Sequence, residues 1–138
     1  MVVTENIKLK SRGETDIINI TSQVEGIVRK SKVVNGIVTV FVPGATGALT
    51  TIEYEPGLVS DLKDAFEKLA PREGDYAHNL KWSDGNGFSH IRASLLGPSI
   101  TVPFLKGGLT LGTWQQIIFI DFDNRPRTRE LVVQIIGE

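Results

Sequence analysis

Two histidines, His78 and His90, are the only imidazoles in the chain. They stand twelve residues apart, in a polar segment that also carries Asn79, Lys81, Trp82, Asp84, Gly85, Asn86 and Gly87. Histidine is the commonest metal ligand and the usual acid–base group near neutral pH. Asp84 adds a carboxylate able to ligate a hard cation or orient an imidazole. His90, His78 and Asp84 are therefore the candidate catalytic group, and His78 and His90 the candidate metal ligands. If the two rings serve one site, their nearest side-chain atoms should lie within about 8 Å. Their spacing matches no standard zinc motif. The competing account is a glycine-rich turn, Asp84-Gly85-Asn86-Gly87, between two ordered segments, with each histidine satisfied separately.

Other residues could complete such a site. Arg92 follows closely and could face a phosphate. Beyond it comes Ser94-Leu95-Leu96-Gly97-Pro98-Ser99, where Gly97-Pro98 forces a turn. Its amides and Ser99 could bind an anion, although a plain loop entering a strand is the simpler account. Gly112-Thr113-Trp114-Gln115-Gln116 offers an indole and two amides that could stack on and hydrogen-bond a flat heterocycle. A core or interface tryptophan is the alternative. Pro43-Gly44-Ala45-Thr46-Gly47 is too short for a phosphate-binding P-loop and lacks its lysine. Glu53 and Glu55 share a strand face and could hold a divalent ion, as could any exposed pair of strand carboxylates.

These residues must be held by regular elements. Val3 to Lys10 alternates like a half-buried strand, near a sheet edge because lysines flank its apolar positions. Asp16 to Ile20 is a second short strand. Ser22-Gln23-Val24-Glu25 has the form of a capping box, and Val24, Ile27 and Val28 then share a helical face. That helix must end before the turn Asn35-Gly36. Ile37 to Val42 is a β-branched strand, and Leu49 to Tyr54 another. From Gly57 to Leu69, Leu58, Leu62, Ala65, Phe66 and Leu69 recur at helical spacing, and Pro71 ends the helix. Arg72 to Gly87 is poor in apolar residues. The chain then becomes sheet-like, with strands at Ser99–Leu105, Thr113–Phe122 and Arg129–Ile136 and turns at Lys106-Gly107-Gly108 and Asp123-Asn124-Arg125-Pro126.

Two main helices among about seven strands imply a single α+β domain over residues 1–138, mostly antiparallel and β-sandwich-like. The runs Ile117–Ile120 and Leu131–Ile136 suggest burial on both sheet faces. Two helices cover little sheet, so a partner subunit is a candidate cover. The 138 residues carry 41% apolar and 22% charged residues, which is globular composition and argues against disorder. A net charge of −1 gives no electrostatic footprint for nucleic acid. The absence of cysteine excludes disulfides, thiolate nucleophiles and cysteine zinc sites. No secretory h-region and no apolar stretch of membrane-spanning length is present, so no membrane association is expected and the cytoplasm is the expected compartment.

The run His90-Ile91-Arg92-Ala93-Ser94-Leu95-Leu96-Gly97-Pro98-Ser99, then Leu111-Gly112-Thr113-Trp114-Gln115, then Arg125-Pro126-Arg127, resembles the YjbQ-like family across nearly the whole chain. The resemblance implies a compact β-sandwich-like α+β fold, a homotrimer, and a secondary thiamine-phosphate synthase activity. That transferase joins hydroxymethylpyrimidine diphosphate to thiazole phosphate and releases pyrophosphate. The family's polar positions fall on His78, Asp84, Asn86, His90, Ser94, Trp114 and Gln115. Asn86, Arg92, Ser94, Trp114 and Gln115 are then the candidate substrate-binding residues. A divalent metal ion, Mg or Zn, is the candidate cofactor, because the diphosphate leaving group needs charge neutralisation. One departure stands out: many members have a His-Thr pair where this chain has Ala45-Thr46. Two other functions fit the same residues, another phosphate-handling enzyme or a non-catalytic trimeric ligand-binding or assembly protein.

Overall fold

Ile117, Ile118, Phe119 and Ile120 are all fully buried, and the fold is built around the strand they form. The computed structural model describes residues 1–138. In chain order the elements are β1 (Val2–Ser11), β2 (Asp16–Asn19), α1 (Thr21–Ser31), β3 (Gly36–Phe41), β4 (Gly47–Ile52), α2 (Pro56–Leu69), α3 (Ala77–Trp82), α4 (Gly87–Leu96), β5 (Ser99–Leu105), β6 (Gly108–Leu109), β7 (Gln116–Asp121) and β8 (Arg127–Gly137). The strands form two sheets, ordered β1-β8-β3-β5-β6 and β2-β7-β4. Every strand pairing is antiparallel. No helix is long and apolar enough to cross a membrane.

Three layers result. Ile117, Phe119 and Leu49 point from the smaller sheet toward Ile7, Val38, Val40, Val102, Phe104, Leu131, Val133 and Ile135 of the larger one, with Val24 and Val28 of α1 closing the edge. On the other face of β7, Ile118, Ile120 and Phe122 pack with Ile17, Ala48, Phe66 of α2 and Ala93 of α4. The edge of Phe66 meets the face of Phe122, with ring centroids 4.8 Å apart. The middle sheet is thus covered on both sides, as β7's unbroken apolar run requires. The expected double burial of Leu131–Ile136 does not follow. Leu131, Val133 and Ile135 are buried, while Gln134 and Ile136 are exposed, so β8 alternates in the period-two manner of a half-buried strand.

The sequence expectations hold for the strands, for α2 and for β1 as an edge strand, and differ at three places. The capping box at Ser22 is not used. α1 begins two residues earlier, at Thr21, where the Asn19 side chain accepts from the Thr21 amide and hydroxyl at 3.0 and 2.7 Å. The long strand expected from Thr113 starts at Gln116, after a loop. Most consequentially, the polar segment around the histidines, where no helix is expected, contains two of them, α3 and α4. The buried residues of α4 are Gly87, Phe88, Ser89, Arg92 and Ala93, with Leu96 partly buried beside them. Ser89 and Arg92 are polar, while the apolar Ile91 and Leu95 are exposed, which hides the helical period from a hydrophobicity count.

Candidate functional site

His78 sits in the first turn of α3 and His90 in the first turns of α4. The two short helices are joined by a turn in which Ser83 and Gly85 take φ values of 54° and 66°. Tight apposition needs a glycine at 87, because a Cβ there would stand 2.5 Å from Tyr76 Cβ. The imidazoles therefore meet, with ring centroids 4.6 Å apart and planes at 52°. This lies inside the separation expected of rings that share one site.

Each ring has a different neighbourhood. His90 Nδ1 lies 3.1 Å from the Ala45 carbonyl oxygen. A carbonyl only accepts, so that bond puts a proton on Nδ1 and leaves Nε2 with its lone pair. His78 Nδ1 is buried without a hydrogen-bond partner. Asp84 Oδ1 is its nearest carboxylate oxygen, 3.6 Å away, beyond hydrogen-bond length. Asp84 Oδ1 instead accepts from the Asn86 amide at 3.1 Å. Asn86 is a strut of the turn: its Oδ1 accepts from the Ser89 hydroxyl and from the Asn124 amide. Asn124 Nδ2 returns to the Asp84 carbonyl at 2.6 Å.

Beside His90 opens a cleft of about 350 Å³ lined by Gly44, Ala45, Gly47, Ala93, Ser94, Gly97 and Pro98. Ser94 donates its hydroxyl to the His90 carbonyl at 2.8 Å. The Gly97-Pro98 turn forms the wall, but it offers no anion donor. The Gly97 amide is spent on the Ala93 carbonyl, and proline has none. The amides of Gly44, Ala45 and Thr46, on the facing loop, donate to no protein group.

Beneath that loop lies a polar network that sequence reasoning did not single out. Arg129 Nε and Nη2 donate in fork fashion to the two oxygens of Asp121, both at 2.8 Å. Ser11 donates to Asp121 Oδ2 at 2.6 Å. The Thr46 hydroxyl accepts from Arg129 Nη2 at 2.7 Å and donates to Asp123 Oδ2 at 3.1 Å. Burial pushes the Asp121 carboxyl up, but the bonds from Arg129 and Ser11 and the guanidinium charge outweigh it and hold it below the usual carboxylate range. A signal was available. Arg129 stands in phase with Leu131, Val133 and Ile135, and a charge on the inward phase of a strand is almost always paired.

Three expected site residues stand elsewhere. Arg92 is buried on the opposite face of α4. It donates to the Ala70 carbonyl, Thr15 and Glu67 at 2.9, 2.8 and 2.7 Å and lies over the Phe88 ring, so it fastens α4 to α2 rather than facing the cleft. Trp114 is 72% exposed in the loop before β7. Gln115 beside it bonds Thr51 at 3.1 Å. Gln116 and Asp121 are opposite ends of β7, about 17 Å apart, and Trp114 and Gln115 precede the Gln116 end. Within one chain they do not join the histidines. Glu55 is occupied too: it caps α2 by accepting from the Gly57 and Leu58 amides at 2.8 and 2.7 Å. No three His, Asp or Glu side chains converge as a metal ligand set.

The geometry defines a small three-layer α+β protein with a histidine pair on two short helices, facing a loop of uncommitted amides. Residues 5–138 match the family model described as UPF0047 protein YjbQ-like, and the chain belongs to that family. A UPF0047 protein of Archaeoglobus fulgidus is 42% identical over 130 residues, covering 94% of this chain and 98% of that protein. One from Methanothermobacter thermautotrophicus is 39% identical over 137 residues, covering 99% and 94%. The crystal structure of a YbjQ-like protein of unknown function from Sulfolobus solfataricus superposes with a TM-score of 0.95 at 33% identity, covering 100% of this chain and 99% of that one.

Proposed function

We propose that the chain binds a phosphorylated small molecule in the His90 cleft and acts on it as a transferase. The reaction to test first is the joining of hydroxymethylpyrimidine diphosphate to thiazole phosphate. The supporting observation is that His90, oriented by the Ala45 carbonyl, stands beside a cleft whose facing loop keeps three amides uncommitted. In this reaction the thiazole nitrogen bonds to the pyrimidine methylene carbon as the carbon–oxygen bond to the diphosphate breaks. The bonding electrons leave with the diphosphate. Amides aimed at that developing charge stabilise it. His90, its ring proton held on Nδ1 by the Ala45 carbonyl, presents Nε2 as an acceptor that positions an N–H or O–H group of the substrate.

The test is product formation from the two phosphorylated precursors, followed by fluorescence after oxidation to the thiochrome form. Slow product formation is expected, with His90→Ala losing most of it while its circular dichroism stays native. Product made equally well by His90→Ala removes this histidine from the mechanism. No product, with pyrophosphate still bound, redirects the cleft to another phosphate-handling reaction.

A second reading has its own support. Leu69, Leu80, Trp82, Leu95, Leu105 and Trp114 are all more than half exposed, and they offer apolar surface for contacts between copies. A homotrimer would cover part of it, and a site shared between copies would reunite Trp114 and Gln115 with the histidines. Light scattering after size exclusion is expected to give three times the chain mass of 15.1 kDa. A stable monomer at micromolar concentration refutes this assembly.

A further inference from the structure

The guanidinium of Arg129 has five N–H donors, and the protein uses only those on Nε and Nη2. Nη1 donates to no protein atom, yet it is not among the buried polar atoms that lack a partner, so it keeps contact with solvent. A Cβ on Gly44 would lie 3.3 Å from Nη1. The loop therefore crosses directly over this nitrogen, and a residue without a side chain leaves it uncovered. Gly44 takes φ +114°, a conformation other residues rarely adopt, and it lines the His90 cleft. Thr46, bonded to both Arg129 and Asp123, pins the far end of the same loop to the same cation.

We propose that Arg129 Nη1 and the amides of Gly44, Ala45 and Thr46 form a subsite for a phosphoryl group at the Gly44 edge of the cleft, with Arg129 as a binding residue. The proposal rests on the reading that the cleft takes a phosphorylated molecule, and it names what holds the phosphate. Arg127 bonds Asp123 at 3.2 Å, so two guanidiniums face two carboxylates and their formal charges cancel. The subsite therefore works by directed donors rather than by a broad positive field. Arginine suits the task because its fork is rigid: Nε and Nη2 are locked on Asp121, which fixes where Nη1 must be. Such a bond to a charged phosphate oxygen is of the stronger, charge-assisted kind.

Inorganic pyrophosphate, without added metal, is the probe, titrated into the full chain by calorimetry and by 15N nuclear magnetic resonance. The expected result is that the amide signals of Gly44, Ala45 and Thr46 and the side-chain signal of Arg129 shift together. Arg129→Lys, which keeps the charge but not the fork, should weaken binding about tenfold to a hundredfold. If wild-type protein binds and the His90 ring signals move while those four do not, the subsite is wrong and the cleft stands. Unchanged affinity in Arg129→Lys likewise overturns the subsite and leaves the cleft. If wild-type protein does not bind pyrophosphate at all, the cleft's phosphate role and the subsite fall together. Should Arg129→Lys fail to fold, the wild-type shift pattern alone decides.

Discussion

Replacing Asp121 by asparagine removes one charge from a fully buried side chain at nearly constant shape. Asp121 accepts from four donors: Arg129 Nε, Arg129 Nη2, Ser11 Oγ and the Asp123 amide. An asparagine must turn its NH2 toward some of those donors, and the Arg129 guanidinium loses its nearest counter-charge. Asp123 is the next, at 3.9 Å, and is already bonded to Thr46 and Arg127. Two charge centres about 4 Å apart interact by about 4 kcal/mol at an effective dielectric of 20. Breaking one partner of a buried pair costs about 3–5 kcal/mol by mutagenesis, so the two routes agree. A domain of this kind has about 5–15 kcal/mol in total, so the loss is severe.

The assay is urea unfolding at fixed protein concentration, since self-association would otherwise shift the midpoint. Far-ultraviolet circular dichroism is the right probe, because Trp82 and Trp114 are 62% and 72% exposed and report little on the core. The midpoint should fall while the slope stays constant. Acid supplies a second check. A carboxyl held below its ordinary value contributes stability that is present above about pH 4 and is lost as pH falls through its folded value. Wild-type protein should therefore lose stability below about pH 4, and Asp121→Asn should lose less over the same range. A variant destabilised by under about 1 kcal/mol at pH 7 would refute the view that this pair holds the strand ends together.

Three further outcomes are expected. Phe119→Ala, at the centre of the inter-sheet core, should cost about 3–5 kcal/mol in the same unfolding experiment. Glu55→Ala removes both side-chain caps of α2 and should cost about 0.5–2 kcal/mol, with no change in pyrophosphate affinity by calorimetry. Gly87→Ala drives a methyl into Tyr76 and should cost about 1–3 kcal/mol. Nuclear Overhauser contacts between the His78 and His90 rings should weaken with it; intact contacts would count against the close approach of α3 and α4.

The strands are legible because β-branched runs and turn dipeptides report a local preference that packing merely confirms, as at Ile37–Val42 and Lys106-Gly107-Gly108. The helix α4 is not, because its buried face carries Arg92, whose partners lie 22 to 77 residues away. Long-range pairing of this sort leaves no periodic trace. The histidine pair is visible as composition in one segment. The opposite wall of its cleft reads only as a turn, since the value of Gly44 and Thr46 depends on Arg129, 83 residues beyond Thr46. Arg92 and Arg129 invert the expectation: the arginine near His90 in sequence locks a helix, while the distant one lies under the Gly44 loop.

The site is assembled from two kinds of support. Its firm half is the ends of β4, β7 and β8, where Arg129, Asp121 and Thr46 are sealed into one network. His90 belongs to that half, being tied to Ala45 and carried by a helix whose inward face is buried. Its other half is α3, which buries none of its residues and is held by the bond from the Gly87 amide to Asn79 and by the bridge from Asn124 to the Asp84 carbonyl. An element with so little buried surface opens at lower free energy than the strands it rests on. His90 and the Gly44 loop therefore stand on the more stable half of the fold. His78 and Asp84 stand on the less stable one, where His78 Nδ1 is buried without a partner and the Asp84 carboxylate lies 3.6 Å away, beyond hydrogen-bond length.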